Sequence, residues 1–432
     1  MSIFRPRIAI VGGGPSGLAL GQLLHQRGIR ATIYELRAKF TLEELAKPSG
    51  MLDLHEESGL TTIRECGLWD GFQAAVGDCS ESMRVINPDG AVLHTDEGEL
   101  ASRPEIARNA LTSLFIQNIP SDIIKWNHKI TTVRSNRNAT TGATEITLNL
   151  GANGAAAYDF VVGADGAWSR IRKLLSDAQP FYSGAQYVTA TVRHVSTKYP
   201  HLVELSGSGT LCALGGGNGI MTQRGPQDSI RVYVAVSTPH EHWAAAAGLE
   251  GKTAAEVKRT LLGDDKLFRK WAPALQDLLA TACDEETKDN PGCEADIKPY
   301  YMLSVGYRWE HRTGMTLVGD AARLMTPWAG EGVNLALWDS LDLAHVLAAV
   351  PEAADAAAWQ AALEPRMREF EEAMLARAQV KAEETDRNRD TFLSENGAQA
   401  MADFFKVYED MAAAGGLPQD QENGNGFLKI RD

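Results

Sequence analysis

The stretch Gly12-Gly13-Gly14-Pro15-Ser16-Gly17 constrains the fold more than any other part of the chain. It follows the apolar run Ile8-Ala9-Ile10-Val11 and precedes Leu18, Leu20, Leu23 and Leu24, which recur at helical spacing. Gly28 suits the end of that helix, and Ala31 to Tyr34 reads as a second strand closed by Glu35. Strand, glycine turn, helix and strand together make a dinucleotide-binding βαβ unit. Gly12 permits the tight turn, Gly14 lets a pyrophosphate approach the backbone, and Gly17 lets the helix close on the strand. The phosphates then lie on unpaired N–H groups at the positive end of the helix. Glu35 falls near the spacing of a carboxylate that binds ribose hydroxyls. The motif alone leaves NAD and FAD both open.

The chain has 432 residues and a formal net charge of −14. Such a length suggests two or three domains. The acidic balance argues against a nucleic-acid surface, which needs clustered Lys and Arg. Cysteines stand at 66, 79, 212, 283 and 293 with no C-x-x-C pair, which suits reduced thiols in a cytoplasmic setting. No metal-ligand spacing occurs among Cys and His. Residues 1 to 6 carry no long apolar run, so no secretory signal is expected. No stretch is apolar for long enough to span a bilayer. Asn138-Ala139-Thr140 fits a glycosylation sequon and is read as a polar turn.

Residues 36 to 50 read as an irregular connection, and Ala110 to Ile119 as a helix. Ile130 to Leu150 has the pattern of a β-hairpin with a polar turn near Asn136 to Gly142. Alternation in Tyr187 to Val195 and Ile230 to Val236 predicts a largely antiparallel sheet. Ala254 to Ala282 reads as helix with breaks at Gly263 and Pro273. Ala353 to Glu395 reads as a long charged helix, kinked or restarted at Pro365. Its Leu363, Met367, Phe370, Met374 and Ala378 form a packing stripe.

Two later motifs repeat one device. Phe160-Val161-Val162 delivers Gly163-Ala164-Asp165-Gly166, continuing to Ser169 and Arg172. Met315 to Val318 delivers Gly319-Asp320, followed by Pro327, Trp328, Gly330, Glu331, Gly332 and Asn334. In each, a short apolar strand carries an Asp-bearing turn to a sheet edge. Gly330 and Gly332 free backbone N–H groups at a helix start, where they can face a phosphate or an electron-rich ring edge.

With the glycine turn, these motifs resemble the class A flavin-dependent monooxygenases of the para-hydroxybenzoate hydroxylase fold. The resemblance implies that FAD is the bound nucleotide. It implies that the Asp165 motif helps bind FAD and NAD(P)H, and that Asp320 contacts the ribityl chain. It further implies that Pro327, Gly330, Gly332 and Asn334 meet the isoalloxazine. Gly50-Met-Leu-Asp53-Leu-His55 and Pro104-Glu-Ile-Ala-Arg108-Asn are similar to segments of the tetracycline-inactivating members. That similarity implies FAD contacts from Asp53 and Arg108. The implied fold is α/β, with a Rossmann-like FAD-binding domain, a smaller and mainly antiparallel-sheet substrate domain, and a long C-terminal bridging helix. The FAD-binding domain is expected over 1–79, 101–182 and 300–350, and the substrate domain over 80–100 and 183–299. A helical segment is expected over 351–412 and a flexible tail over 413–432.

The implied activity is oxygen transfer. NADPH or NADH reduces FAD, and the distal oxygen of a flavin hydroperoxide passes to an aromatic or polycyclic small molecule. No catalytic side chain and no metal is expected, only a dry pocket. Only one G-x-G-x-x-G follows a strand, so no second nucleotide-binding fold is expected. Arg37 and Lys47 are candidates for the NAD(P)H phosphates, against a plainer reading as solvated loop charges. Trp328, Thr189, Thr210 and Met221 are candidates for substrate contact; Trp243 and Tyr301 are further possible wall residues, and for these two and Met221 core packing is the plainer reading. His55 reads as a hydrogen-bonded structural histidine.

Two positions depart from the family pattern. Arg323 stands where many members have His, and Glu331 where many have Gln, which adds a negative charge near the flavin. The Gln and Arg that contact tetracycline in that subgroup have no clear counterpart in residues 183 to 225, so tetracycline itself is not implied. A monomer is expected. A flavin-linked reductase without oxygen transfer and a non-enzymatic planar-ligand binder are the alternatives.

Overall fold

The computed structural model describes residues 4–76, 80, 82–98 and 103–413. Cys79 and nearly all of the expected tail lie outside them. The run Ile8–Val11 is buried along its whole length, as a strand covered on both faces must be. It lies at the centre of a five-stranded parallel sheet. The order is Met315–Leu317, Phe160–Gly163, Ile8–Val11, Ala31–Tyr34 and Ile124–Lys125. Val11 pairs with Gly163, and Gly163 with Leu317. The strands that carry the three motifs are therefore neighbours, and their turns emerge side by side. In sheets of this kind the crevice at the carboxyl ends of the strands is where ligands bind.

The glycine-turn helix Pro15–Gln26 packs on helix Gly332–Ala348, where the Ser16 and Ser340 hydroxyls meet at 2.9 Å. The expected hairpin is present as Thr132–Arg137 against Thr144–Asn149, and Ala155–Tyr158 adds a third strand. Asn138 does turn work there: its Oδ1 accepts the N–H groups of Thr140 and Thr141.

A seven-stranded sheet forms the second layer. Its order is Asp296–Met302, Phe181–Val192, Ser229–Ser237, Asn218–Gly225, Thr210–Gly215, Met83–Ile86 and Val92–Asp96. Every pair is antiparallel except Thr210–Gly215 with Met83–Ile86. One face packs Val188, Ala190, Val192 and Val234 against Leu261, Leu278 and neighbouring helix residues. Strand alternation puts Tyr187 and Thr189 on the opposite face. The covering helices are Ala254–Gly263 and Pro273–Asp289, interrupted where glycine and proline predict.

Of the kink or restart expected at Pro365, the restart does not occur. Helix Ala356–Phe392 runs through it without interruption. Trp359 and Leu363 before the proline, and Met367, Phe370 and Met374 after it, are all buried in the core beside the parallel sheet. That packing outweighs one lost backbone hydrogen bond. The far end of the helix, at Phe392, packs with Cys212 and Leu214 of the seven-stranded sheet, so the helix bridges the two layers. Helix Gly397–Ala413 completes that contact through Ala398 and Met401. Among the described residues no helix is long and apolar enough to cross a membrane.

Candidate active site

The glycine turn is held by its neighbours on three sides and left open on the fourth. Gly12 has φ +115, and a Cβ there would lie 2.1 Å from the carbonyl oxygen of Ala164 in the second motif. A Cβ on Gly17 would lie 2.0 Å from the Gly12 carbonyl. Gly14 differs, because a Cβ there meets nothing within 4 Å. It caps the N-terminus of helix Pro15–Gln26, so its open side is where N–H groups can receive a pyrophosphate. Gly13 N–H donates to Glu35 Oε2 at 2.7 Å, and the Arg37 N–H and Nε donate to Oε1 at 2.9 and 2.8 Å. Burial alone raises the Glu35 pKa, but Arg37 and these backbone bonds hold it below the ordinary range. Arg37 also lies 4.9 Å above the Phe40 ring, so its guanidinium is already committed beside Glu35. Lys47 is exposed after the short helix Leu42–Ala46 and makes no ion pair among the described residues.

The second and third motifs are tied by one residue. Ser169 Oγ donates to Asp165 Oδ1 at 2.5 Å, and Arg170 N–H to Oδ2 at 2.6 Å. The buried Arg172 guanidinium donates to the Ala167 carbonyl and, at 3.0 Å, to the Ala321 carbonyl of the third turn. Asp320 in that turn is exposed, and no hydrogen bond holds its carboxylate among the described residues. Arg108, Arg172 and Arg323 all lie within its electrostatic reach.

Asp53 and Arg108 come from segments that prove to be partners. Strand Met51–Asp53 pairs antiparallel with Glu105–Ala107, and Arg108 N–H donates to the Gly50 carbonyl at 2.9 Å. The Arg108 side chain is exposed and makes no ion pair among the described residues, and it acts electrostatically on Tyr233, Tyr300 and Asp320. It therefore stands between the seven-stranded sheet and the third turn. Asn334 pins the turn to the Asp53 strand. Its Oδ1 accepts His55 N–H at 2.9 Å, and its Nδ2 donates to the Asp53 carbonyl at 3.0 Å. Gly330 takes φ +68 beside the Asp53 carboxylate, and a Cβ on Gly332 would meet nothing within 4 Å. Pro327 opens the turn.

The two departures read differently in three dimensions. Arg323 is only partly engaged: it is buried with Nη2 2.6 Å from Asp339 Oδ2, while its Nε and Nη1 are buried without a hydrogen-bond partner. Glu331 is not a lone negative charge. Its Oε1 lies 2.6 Å from Lys381 Nζ, and its Oε2 lies 3.6 Å from His55 Nδ1. His55 Nε2 in turn meets Asp53 Oδ2 at 3.0 Å. Burial opposes the charge on His55, but Asp53 and Glu331 raise its pKa to about 9. A raised value means stability that is fully present below about 6.5 and lost as pH rises through about 9. Relative to His55→Gln, the parent is expected to lose about 3 kcal/mol over that interval in denaturant titrations. Parallel pH profiles for the two proteins would contradict the assignment.

Across the open face of the seven-stranded sheet, Thr189, Tyr233, Met221 and Cys212 lie in one row. Tyr187 packs on Tyr300 with ring centroids 4.3 Å apart and on Trp328 at 6.1 Å. The Tyr187 hydroxyl and Trp328 Nε1 are buried without a partner. Thr189 has its hydroxyl engaged, donating to Asp296 Oδ2 at 2.5 Å and accepting from Arg231 Nη2 at 2.8 Å. Thr210 shares the face but sits two residues from Cys212 along its strand, between Met83 and Gln223. Trp243 packs against the helix-covered core. Tyr301 donates to Glu241 at 2.6 Å and stacks edge-on with Trp168 of the second motif. Sequence reasoning missed Tyr187, Tyr233 and Tyr300, although strand alternation from Thr189 already put Tyr187 on its face.

Open glycine faces at 14 and 332, together with the exposed Asp320 and Arg108, are compatible with an extended dinucleotide bearing a flat ring system. The FAD binding domain family model matches residues 5–247 and 296–378, and the chain belongs to that family of FAD-dependent monooxygenases. Monooxygenase penA of Penicillium thymicola is 33% identical over 424 residues, covering 91% of this chain and 96% of that protein. Klebsiella pneumoniae HpxO, a crystal structure complexed with FAD and uric acid, superposes with a TM-score of 0.71. It is 19% identical, and the match covers 95% of this chain and 95% of that one. Tetracycline destructase Tet(55) gives a TM-score of 0.67 at 15% identity, with 99% of each chain covered. At such identities the solved structures speak for the fold alone.

Proposed function

We propose that the protein uses NADPH or NADH and O2 to hydroxylate an aromatic or polycyclic small molecule. The substrate lies between the Tyr187–Thr189–Tyr233–Met221 face and the turn around Trp328. The observation that carries this reading is the meeting of three Gly/Asp turns at one sheet edge, facing that aromatic-lined sheet. FAD supplies the hydride acceptor and the activation of oxygen. The chain's residues do the holding. Gly12, Gly14 and Gly17 shape the phosphate turn, and Glu35 offers its carboxylate to the adenosine ribose. Asp165 and Asp320 line the middle of the cofactor. Asp53, Arg108, Pro327, Gly330, Gly332 and Asn334 surround the ring.

Tyr187, Tyr300 and Trp328 keep water from the reacting carbon, which a flavin-driven oxygenation requires. Trp328 and Met221 flank a planar ring, while Thr189 acts mainly by orienting Arg231. Residues 80–100 and 183–299 form the substrate-binding part, and the rest up to 350 the cofactor part. The working form is taken as a cytoplasmic monomer, with Cys66, Cys212 and Cys283 as buried free thiols that suit a reducing compartment. Tetracycline has no support beyond shared fold.

The test is a screen of FAD-loaded protein against phenols, anthraquinones and tetracyclines, following NADPH oxidation and hydrogen peroxide together. One class is expected to stimulate oxidation severalfold with little peroxide. Stimulated oxidation that persists without O2 would favour a reductase and overturn the reading.

A further inference from the structure

Glu331 precedes Gly332 in the third turn and is 5% exposed. An isolated carboxylate there is expensive to bury, and it opposes any negative charge the flavin gains on reduction. The C-terminal helix supplies the answer. Lys381, also 5% exposed, reaches in from helix Ala356–Phe392 to touch Glu331 Oε1 at 2.6 Å and Glu384 Oε2 at 3.2 Å. His55 and Asp53 continue the row on the opposite side of Glu331. A Lys–Glu–His–Asp series thus crosses from the bridging helix, through the turn, to the Met51–Asp53 strand. Other charges reach the same row without touching Glu331: Arg323, paired with Asp339, acts on it electrostatically, Arg387 acts on Glu384, Arg103 acts on Asp53 and His55, and Glu57 lies 3.8 Å from His55, while Arg377 faces Asp339 and Asp342. The second oxygen of Glu384 is buried without a hydrogen bond, so the lysine cannot be removed without leaving two carboxylates short of a partner.

We propose that Lys381 is a positioning residue for the flavin chemistry: by neutralising Glu331 it sets the reduction potential of the bound FAD. This rests on the reading that the 327–334 turn meets the isoalloxazine. It explains how the chain carries glutamate in a turn where an uncharged side chain would serve. It also gives the bridging helix an electrostatic role in addition to packing.

The experiment measures the reduction potential of FAD-loaded protein by anaerobic equilibration with a reference dye near neutral pH. Lys381→Met leaves Glu331 under-compensated. The ratio of reduced to oxidised flavin at a fixed potential is expected to fall about tenfold, or ~30 mV for a two-electron couple. Glu331→Gln leaves Lys381 in excess and is expected to raise the ratio by a similar factor. The double variant buries neither of these two charges and is expected to return close to the parent value. If Lys381→Met does not fold, the double variant compared with Glu331→Gln reads the same lysine contribution. Shifts of the same sign in both single variants overturn the proposal. So does a shift with Glu331→Gln and none on removing Lys381. No shift in any variant faults the placement of the turn against the ring, and the proposal falls with it.

Discussion

Gly14→Val is expected to fold like the parent chain and to bind FAD about 100-fold more weakly, a loss of ~3 kcal/mol. The turn holds two kinds of glycine. Gly14 has φ −81 and ψ −179, extended backbone open to any residue, and a Cβ there touches no protein atom within 4 Å. The protein without cofactor has no reason to notice the change. The cofactor is expected to, because the proposed reading puts the pyrophosphate on that empty side, at the helix N-terminus. Gly12→Ala and Gly17→Ala are different, since their Cβ atoms would lie 2.1 and 2.0 Å from backbone carbonyls. Those two are expected to lower the stability of the cofactor-free protein itself. FAD fluorescence titration beside thermal unfolding tells the cases apart. Normal FAD affinity in Gly14→Val would remove the phosphate turn from the account.

The second large effect is on stability. Asp339→Ala is expected to cost about 3–5 kcal/mol in denaturant titration, because it strands the buried Arg323 guanidinium. The pair holds the third turn to helix Gly332–Ala348: Arg323 Nη2 lies 2.6 Å from Asp339 Oδ2, and both side chains are buried. Arg377, 3.6 Å from Asp339, keeps its closer partner Asp342 at 2.8 Å, so the stranded charge is that of Arg323. Replacing both members of the close pair, as Arg323→Met with Asp339→Leu, is expected to cost far less than Asp339→Ala. A loss below about 1 kcal/mol for Asp339→Ala would mean that the ion pair is solvated and the turn held by other means.

Much of this site can be read from the chain because backbone geometry restricts residue choice at neighbouring positions. A strand that ends in Gly12, or in Gly163 before Asp165, leaves a local signature, and three such signatures in order point to one sheet edge. The pairing of Val11, Gly163 and Leu317 bears that out. Contacts that depend on distant side chains leave no such trace. Lys381 is one charge among many on a long helix, and nothing local marks it as the partner of Glu331. Arg323 reads equally well as a donor to a ligand or as one half of a buried pair. Pro365 looks like a helix break until the buried Trp359, Leu363 and Met367 show what holds the helix on both sides. Thr189 lies on the open face of the seven-stranded sheet, but its hydroxyl is already used by Asp296 and Arg231. The face proposed for the substrate consists of ordinary strand residues whose alternation gives the face but not its occupant.

Acting as a monooxygenase, this chain transfers one atom of dioxygen through FAD to an organic substrate. The most direct measurement is turnover under isotopically labelled dioxygen, with whichever substrate couples NADPH oxidation in the screen. The account predicts one labelled oxygen atom in the product and the other in water. An oxidised product without label, or labelled hydrogen peroxide beside unchanged substrate, would contradict it.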